Sequence, residues 1–115
     1  MVKEKVLITG GAGYLGSVLT ERLLNSNYQV TVLDNLSYNQ ISLNTFCHNK
    51  NFDFILGDVR NQELLKQAIS DVDVIIPLAA IVGMPACKRN PDLAVDVNFN
   101  QINFIAKNLS SNQKL

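Results

Sequence analysis

The chain predicts a doubly wound α/β domain, a parallel sheet in the order 3-2-1-4 with right-handed crossovers and helices on both faces. Three observations carry this. Short apolar, β-branched runs alternate with segments of helical period. A glycine cluster stands between the first run and the first helical pattern. An acid, Asp34, closes the second run about 20 positions after those glycines.

The first run, Val6, Leu7 and Ile8, stops at Thr9-Gly10-Gly11-Ala12-Gly13-Tyr14-Leu15-Gly16. Gly10 allows a sharp turn off the strand, Gly13 leaves room for a pyrophosphate to approach the backbone, and Gly16 lets the helix lie close to the sheet. The first helical turn then offers unpaired amides and the positive end of its dipole, which suits a diphosphate. The glycines fit more than one template. Gly11, Gly13 and Gly16 satisfy G-x-G-x-x-G, and Gly10, Gly13 and Gly16 satisfy G-x-x-G-x-x-G. Gly11 and Gly16 also match the outer glycines of a triphosphate P-loop, but Ser17-Val18 stands where that loop needs Lys and Ser/Thr. A bare glycine turn without ligand is the plain alternative, and the order strand, loop, helix argues against it.

Leu15, Val18, Leu19 and Leu23 recur at helical spacing, with Glu21, Arg22 and Asn25 opposite, until Asn25-Ser26-Asn27 ends the helix. Gln29 to Leu33 is the second strand. The Asp34 that follows can accept two hydrogen bonds from a ribose diol and repels a 2′-phosphate, favouring NAD over NADP. No Arg or Lys occurs from Asn35 through Asn49 to neutralise such a phosphate. From Tyr38 to Lys50 the chain is weakly patterned, with Ile41 and Phe46 as anchors of a short helix. Phe52 to Leu56 is the third strand, ended by Gly57-Asp58-Val59-Arg60. Asn61 caps a helix carrying Leu64, Leu65, Ala68 and Ile69. Asp71 to Ile76 is the fourth strand, Pro77-Leu78-Ala79-Ala80 follows it, and Ile81 to Asn90 reads as a loop. Asn90-Pro91 then starts the last helix. Val95, Phe99, Ile102, Ala106 and Leu109 make one apolar stripe there. Val97 and Phe104 make a second, so one face covers the sheet and the other needs a different partner.

Composition sets the bounds. At 115 residues this is a single domain, with 47% apolar and 17% charged residues. Ten basic and ten acidic residues cancel, which removes the electrostatic case for nucleic acid or an anionic membrane. The N-terminus enters the first strand directly, and no run reaches the ~18 apolar residues of a membrane span, so the cytosol is expected. Cys47 and Cys87 lack metal-site spacing and read as reduced thiols; His48 reads as solvated.

Thr9 sharpens the glycine motif. T-G-G-A-G-Y-L-G at 9–16 resembles the T-G-x-x-G-x-x-G signature of the NAD-dependent epimerase/dehydratase family, the extended short-chain dehydrogenases/reductases with a Rossmann-type fold. D-N-L-S at 34–37 is similar to the same stretch of UDP-galactose 4-epimerases. The resemblance implies NAD as cofactor, with its pyrophosphate on backbone amides near Tyr14 and Leu15 and its ribose on Asp34 and Asn35. It further implies adenine beside Asp58 and Val59. Leu78, Ala79 and Ala80 match the family's H-L-A-A segment along the ribose and pyrophosphate, with Pro77 in place of the histidine. Asn98 matches an asparagine of the family's next helix and is counted with the cofactor-binding residues. Lys88 and Arg89 read as a solvated basic pair near the substrate side.

The family's catalytic Ser/Thr and Tyr-x-x-x-Lys come after the point where this chain ends. Position +4 from Tyr14, Tyr28 and Tyr38 is Val18, Val32 and Ser42, so the general base of the family is absent. Residues 1–115 are therefore expected to be the NAD-binding fragment of a nucleotide-sugar epimerase or dehydratase, inactive alone. A non-catalytic dinucleotide-binding module and a fragment of a sugar reductase are the alternatives. An unpaired edge at Val74, Ile75 and Ile76, together with the second face of the last helix, predicts a homodimer or larger assembly, with Pro77 shortening the usable edge.

Overall fold

The computed structural model describes residues 3–115. Four parallel strands, β1 (Lys5–Thr9), β2 (Gln29–Asp34), β3 (Phe52–Leu56) and β4 (Val74–Pro77), form one sheet in the order β3-β2-β1-β4. Helix α1 (Tyr14–Asn25) links β1 to β2, and α2 (Gln62–Ser70) links β3 to β4. A short 3₁₀ turn at Asn44–Phe46 precedes β3. After β4 come α3 (Met84–Arg89), α4 (Pro91–Val95), a π-helical turn over Asp96–Asn100, and α5 (Gln101–Asn108). The predicted sheet order is the observed one.

Side-chain alternation along β1 divides the core between the two faces of the sheet. Val6 and Ile8 pack with Val30, Val32 and Leu24 of α1. Leu7 points the other way, to Leu33, Leu65, Ile69, Ile75 and Ile105. Strands buried on both faces are what a parallel sheet requires, since helices cover each side. Asn61 caps α2 as expected, its side chain accepting the Leu64 amide at 3.1 Å. Asn27 ends the α1 turn at φ 66°, a left-handed conformation that asparagine tolerates well.

Several segments depart from the sequence reading. In α1 the sheet-facing ridge is Gly16, Thr20 and Leu24, with Leu19 and Leu23 beside it, while Leu15 and Val18 are exposed. Before β3, Leu43 is the buried anchor and Ile41 lies in solvent. The expected loop after Ile81 contains helix α3, entered at Gly83 with φ 89° and with Pro85 in its first turn. Asn90 flanks α4, but its side chain makes no cap hydrogen bond. In the last helix Val97, Phe104 and Leu109 pack on the core beside Ile105, while Val95 (52% exposed), Phe99 (63%) and Ile102 (38%) face outward.

The β4 edge is also not bare. The Ile75 amide donates to Lys114 O at 2.9 Å and the Lys114 amide to Asp73 O at 3.0 Å, placing Lys114 in a parallel bridge with Val74. Gln113 steers this segment, donating to Ile69 O and Val72 O and accepting the Ser110 amide.

Leu65 is fully buried between α2 and the sheet. Leu65→Ala should lower unfolding free energy by about 2–5 kcal/mol. Val18→Ala, on the exposed side of α1, should change it by no more than about 0.5 kcal/mol. Urea melts of the two variants measure both.

Candidate functional site

All four strands end at the same side of the sheet, and the segments leaving them wall a cleft of about 690 Å³. Its location is the one general to open α/β sheets, outside the carboxyl ends of the strands where the connections diverge to either side of β1.

The floor is the turn after β1. Gly10 sits at φ 74°, and a Cβ there would lie 2.5 Å from Ala79 N and 2.6 Å from Ala79 Cα. A Cβ on Gly16 would meet Gly11 Cα at 2.5 Å and Gly10 O at 2.7 Å, so this glycine serves the fold of the turn itself rather than the approach of helix to sheet. Gly13 differs. A Cβ there would have only Gly10 O within 4 Å, at 3.4 Å, so the protein's own packing does not demand a glycine. What the bare position leaves is open cleft in front of the α1 N-terminus. That terminus has no side-chain cap and no acidic residue in its first turn, leaving its positive end uncompensated.

Asp34 ends β2 and is 8% exposed. Its Oδ2 accepts the Ala12 amide at 3.0 Å and its Oδ1 accepts the Leu36 amide at 2.8 Å. The second bond holds Leu36 at φ 55°, a strained conformation for a leucine, of the kind that collects at binding sites. Asn35 Oδ1 accepts from the Ser37 amide (3.1 Å) and hydroxyl (2.5 Å), and the Ser42 hydroxyl donates to Ala12 O at 2.7 Å, folding this loop back over the glycine turn.

Asp58, after β3, is gripped by Arg60. The guanidinium donates to Oδ1 at 3.0 Å and to Oδ2 at 2.8 Å, and the Arg60 amide adds a bond of 2.9 Å. The guanidinium contact holds the Asp58 carboxyl below its ordinary value of 3.8, against the opposing effect of partial burial, and Asp58 pushes Arg60 upward in turn. Among the described residues Arg60 is the one basic side chain on the cleft wall; it comes from beyond the Asn35–Asn49 stretch, and its charge is paired with Asp58.

The remaining wall is the segment after β4. Leu78, Ala79, Ala80, Ile81 and Val82 line the cleft, backed by Leu93 and Val97. Thr9 and Gln101 hold it from behind. The Thr9 hydroxyl donates to Gln101 Oε1 at 2.8 Å, and Gln101 Nε2 donates to Ala79 O (2.8 Å) and Val97 O (2.7 Å).

Twelve of the thirteen residues singled out in the sequence meet on this cleft. Gly10, Gly13, Tyr14, Leu15 and Gly16 come from the turn, Asp34 and Asn35 from β2, Asp58 and Val59 from β3, and Leu78, Ala79 and Ala80 from β4. Asn98 does not line it. Its side chain lies behind the wall, accepting the Ile81 amide at 2.7 Å and donating to Ile81 O at 2.8 Å. Sequence reasoning missed Arg60, Tyr38 and Gln101. For Gln101 the available signal was a polar residue at i+4 from Val97 and i−4 from Ile105.

Residues 6–107 match the NAD dependent epimerase/dehydratase family, and the chain belongs to it. It is 39% identical over 101 residues to an uncharacterized membrane protein of Methanocaldococcus jannaschii, covering 84% of this chain and 29% of that one. Among solved structures, an epimerase from Methanothermobacter thermautotrophicus superposes with a TM-score of 0.82 at 32% identity, covering 93% of this chain and 32% of that chain. A dTDP-glucose 4,6-dehydratase from Streptomyces venezuelae, solved with NAD bound, gives 0.80 at 27% identity over 90% of this chain and 34% of its own length. The chain thus spans about a third of the length of these relatives. Among the described residues no helix is long and apolar enough to cross a membrane.

Because the folded-state value of Asp58 is depressed, the Arg60 contact stabilises the fold above about pH 4 and is lost as pH falls through the folded value. Arg60→Ala should return Asp58 toward 3.8. An NMR titration of the Asp58 carboxyl in both proteins measures it; an unchanged midpoint would show that the ion pair is absent in solution.

Proposed function

We propose that residues 1–115 are the NAD-binding portion of an enzyme that epimerises or dehydrates a nucleotide-linked sugar. The observation that carries this reading is Gly13, a position kept free of side chain by no demand of the protein's packing, in front of an uncapped helix N-terminus. The cleft has the donor set a dinucleotide needs. The amides of Tyr14 and Leu15 take the pyrophosphate. Asp34, fixed by two backbone amides, offers its remaining lone pairs to the adenosine ribose diol and repels a 2′-phosphate, which selects NAD over NADP. Asn35 flanks that ribose, Asp58 and Val59 border the adenine, and Leu78, Ala79 and Ala80 run along the second ribose. Asn98 serves the cofactor through Ile81 rather than by contact.

When bound, NAD supplies a hydride acceptor that is regenerated within one catalytic cycle. This chain's residues would orient it and offer backbone amides at a helix N-terminus to its pyrophosphate. The proton transfer at the sugar belongs to a Tyr-x-x-x-Lys pair that these 115 residues lack. Family membership and the NAD-bound dehydratase of similar fold support the reading. The free thiols Cys47 and Cys87 are in keeping with a cytosolic setting. Pairing of two copies through the outward face of α4 and α5, at Val95, Phe99 and Ile102, completes the proposal.

Calorimetry with NAD tests the site. Asp34→Ala and Gly13→Val should each weaken binding about tenfold or more, as expected for a lost charge-assisted hydrogen bond or a blocked approach. Wild-type affinity in either variant would remove that residue from the site. The 115-residue chain should turn over no UDP-sugar at any cofactor concentration, and measurable epimerisation would overturn the division of labour. Sedimentation at micromolar concentration should show a dimer that Phe99→Asp converts to monomer; a monomeric wild type would rule that surface out.

A further inference from the structure

The Thr9–Gln101–Ala79 network has a property that stability does not explain. Gln101 is 2% exposed and every polar function of its side chain is engaged, Oε1 by Thr9 and both Nε2 hydrogens by the carbonyls of Ala79 and Val97. A buried amide so satisfied contributes little net free energy, because apolar side chains of the same shape at both positions are often as stable. It is instead a device for holding backbone. The Ala79 amide lies 3.4 Å from the Thr9 hydroxyl, so both polar groups of Ala79 are addressed by the same pair of side chains. Two residues further, Asn98 takes both polar groups of Ile81.

We infer that Gln101 is a positioning residue for the half of a dinucleotide that lies away from Asp34, acting by fixing the Ala79–Ile81 wall. The inference rests on the dinucleotide reading of the cleft and adds to it which segment of the chain governs the nicotinamide side. Gln101 itself has no donor left for a ligand, so it works only through Ala79. The adenosine side is built from other segments, Asp34 to Leu36 and Asp58 to Arg60, which share no hydrogen bond with this network. Loosening Ala79 should therefore leave adenosine recognition intact.

The test compares NAD with ADP on the 115-residue chain by calorimetry, in wild type, Gln101→Leu, and the double variant Thr9→Val/Gln101→Leu, which removes the polar groups from both ends of the contact. NAD affinity should fall about tenfold in each variant, the scale of one to two lost hydrogen bonds, while ADP affinity stays within about twofold. Amide hydrogen exchange at Ala79 and Ile81 should quicken in parallel. Equal losses for NAD and ADP, or no loss for either, would overturn the inference, as would unfolding of both variants, which would assign Gln101 to the fold. A wild type that binds ADP as tightly as NAD overturns it while leaving an adenosine site standing. A wild type that binds neither overturns the dinucleotide reading beneath it.

Discussion

The structure depends on how closely backbone packs on backbone where β1 meets α1. Gly10 and Gly16 lack the space for a Cβ against main chain, that of Ala79 and of Gly10–Gly11 respectively, and Gly11 lacks it against the Val32 side chain. Because no side chain intervenes, the helix begins immediately above the sheet and the cleft floor is main chain. Gly10 adds a conformational demand, since its φ of 74° costs other residues about 1–2 kcal/mol. The Ala12 amide is thereby brought to the end of β2, where Asp34 accepts it. A bulkier turn would separate these groups, and the acid would lose the partner that orients it.

Asp34 then illustrates how the site is assembled before any ligand arrives. A carboxylate at 8% exposure must be compensated, and two backbone amides do this without a cation. Its geometry is fixed, so under the proposed function a ribose diol would meet ordered acceptors with little further ordering on binding. Asp58 is treated differently, being neutralised by Arg60 at the cleft rim. One acid is held by two backbone amides and the other is half of an ion pair. Of the two acids on the cleft, Asp34 at the end of β2 is the one held by backbone amides rather than by Arg60.

The first three strands and the glycine turn were legible because their signals are local, whereas β4 runs from Val74 to Pro77 and not from Asp71 to Ile76. Apolar runs bounded by turn residues placed β2 to within one residue and β3 without error, and Asn61 capped α2 as its residue type implies. The unread features depend on contacts far along the chain. Leu15 and Val18 match a helical stripe, yet the buried face of α1 is Gly16, Thr20 and Leu24, where Gly16 packs on the main chain of the glycine turn and the Thr20 hydroxyl donates back to Gly16 O. The last helix carries two apolar stripes of similar quality, and counting apolar residues cannot decide between them. The deciding group is Gln101, whose burial is made acceptable by Thr9, 92 positions earlier. The Lys114 bridge to Val74 has no signal in Gln113-Lys114-Leu115 itself, since any extended segment can pair with a strand edge.

The π-helical turn at Asp96–Asn100 gives this helix one residue more than a regular helix would need to span the same rise. The wider π turn absorbs that residue, so α4 and α5 keep the relative phase of a regular helix. Asn98 and Gln101 face the β4 segment together with this turn in place. Deleting Phe99 or Asn100 would let the turn close into regular helix with α4 and α5 left in place, and would change only where Asn98 points relative to Gln101. The extra residue is therefore a local adjustment that adds one more polar position to the turn behind Ile81 and Ala79 without moving the helices on either side.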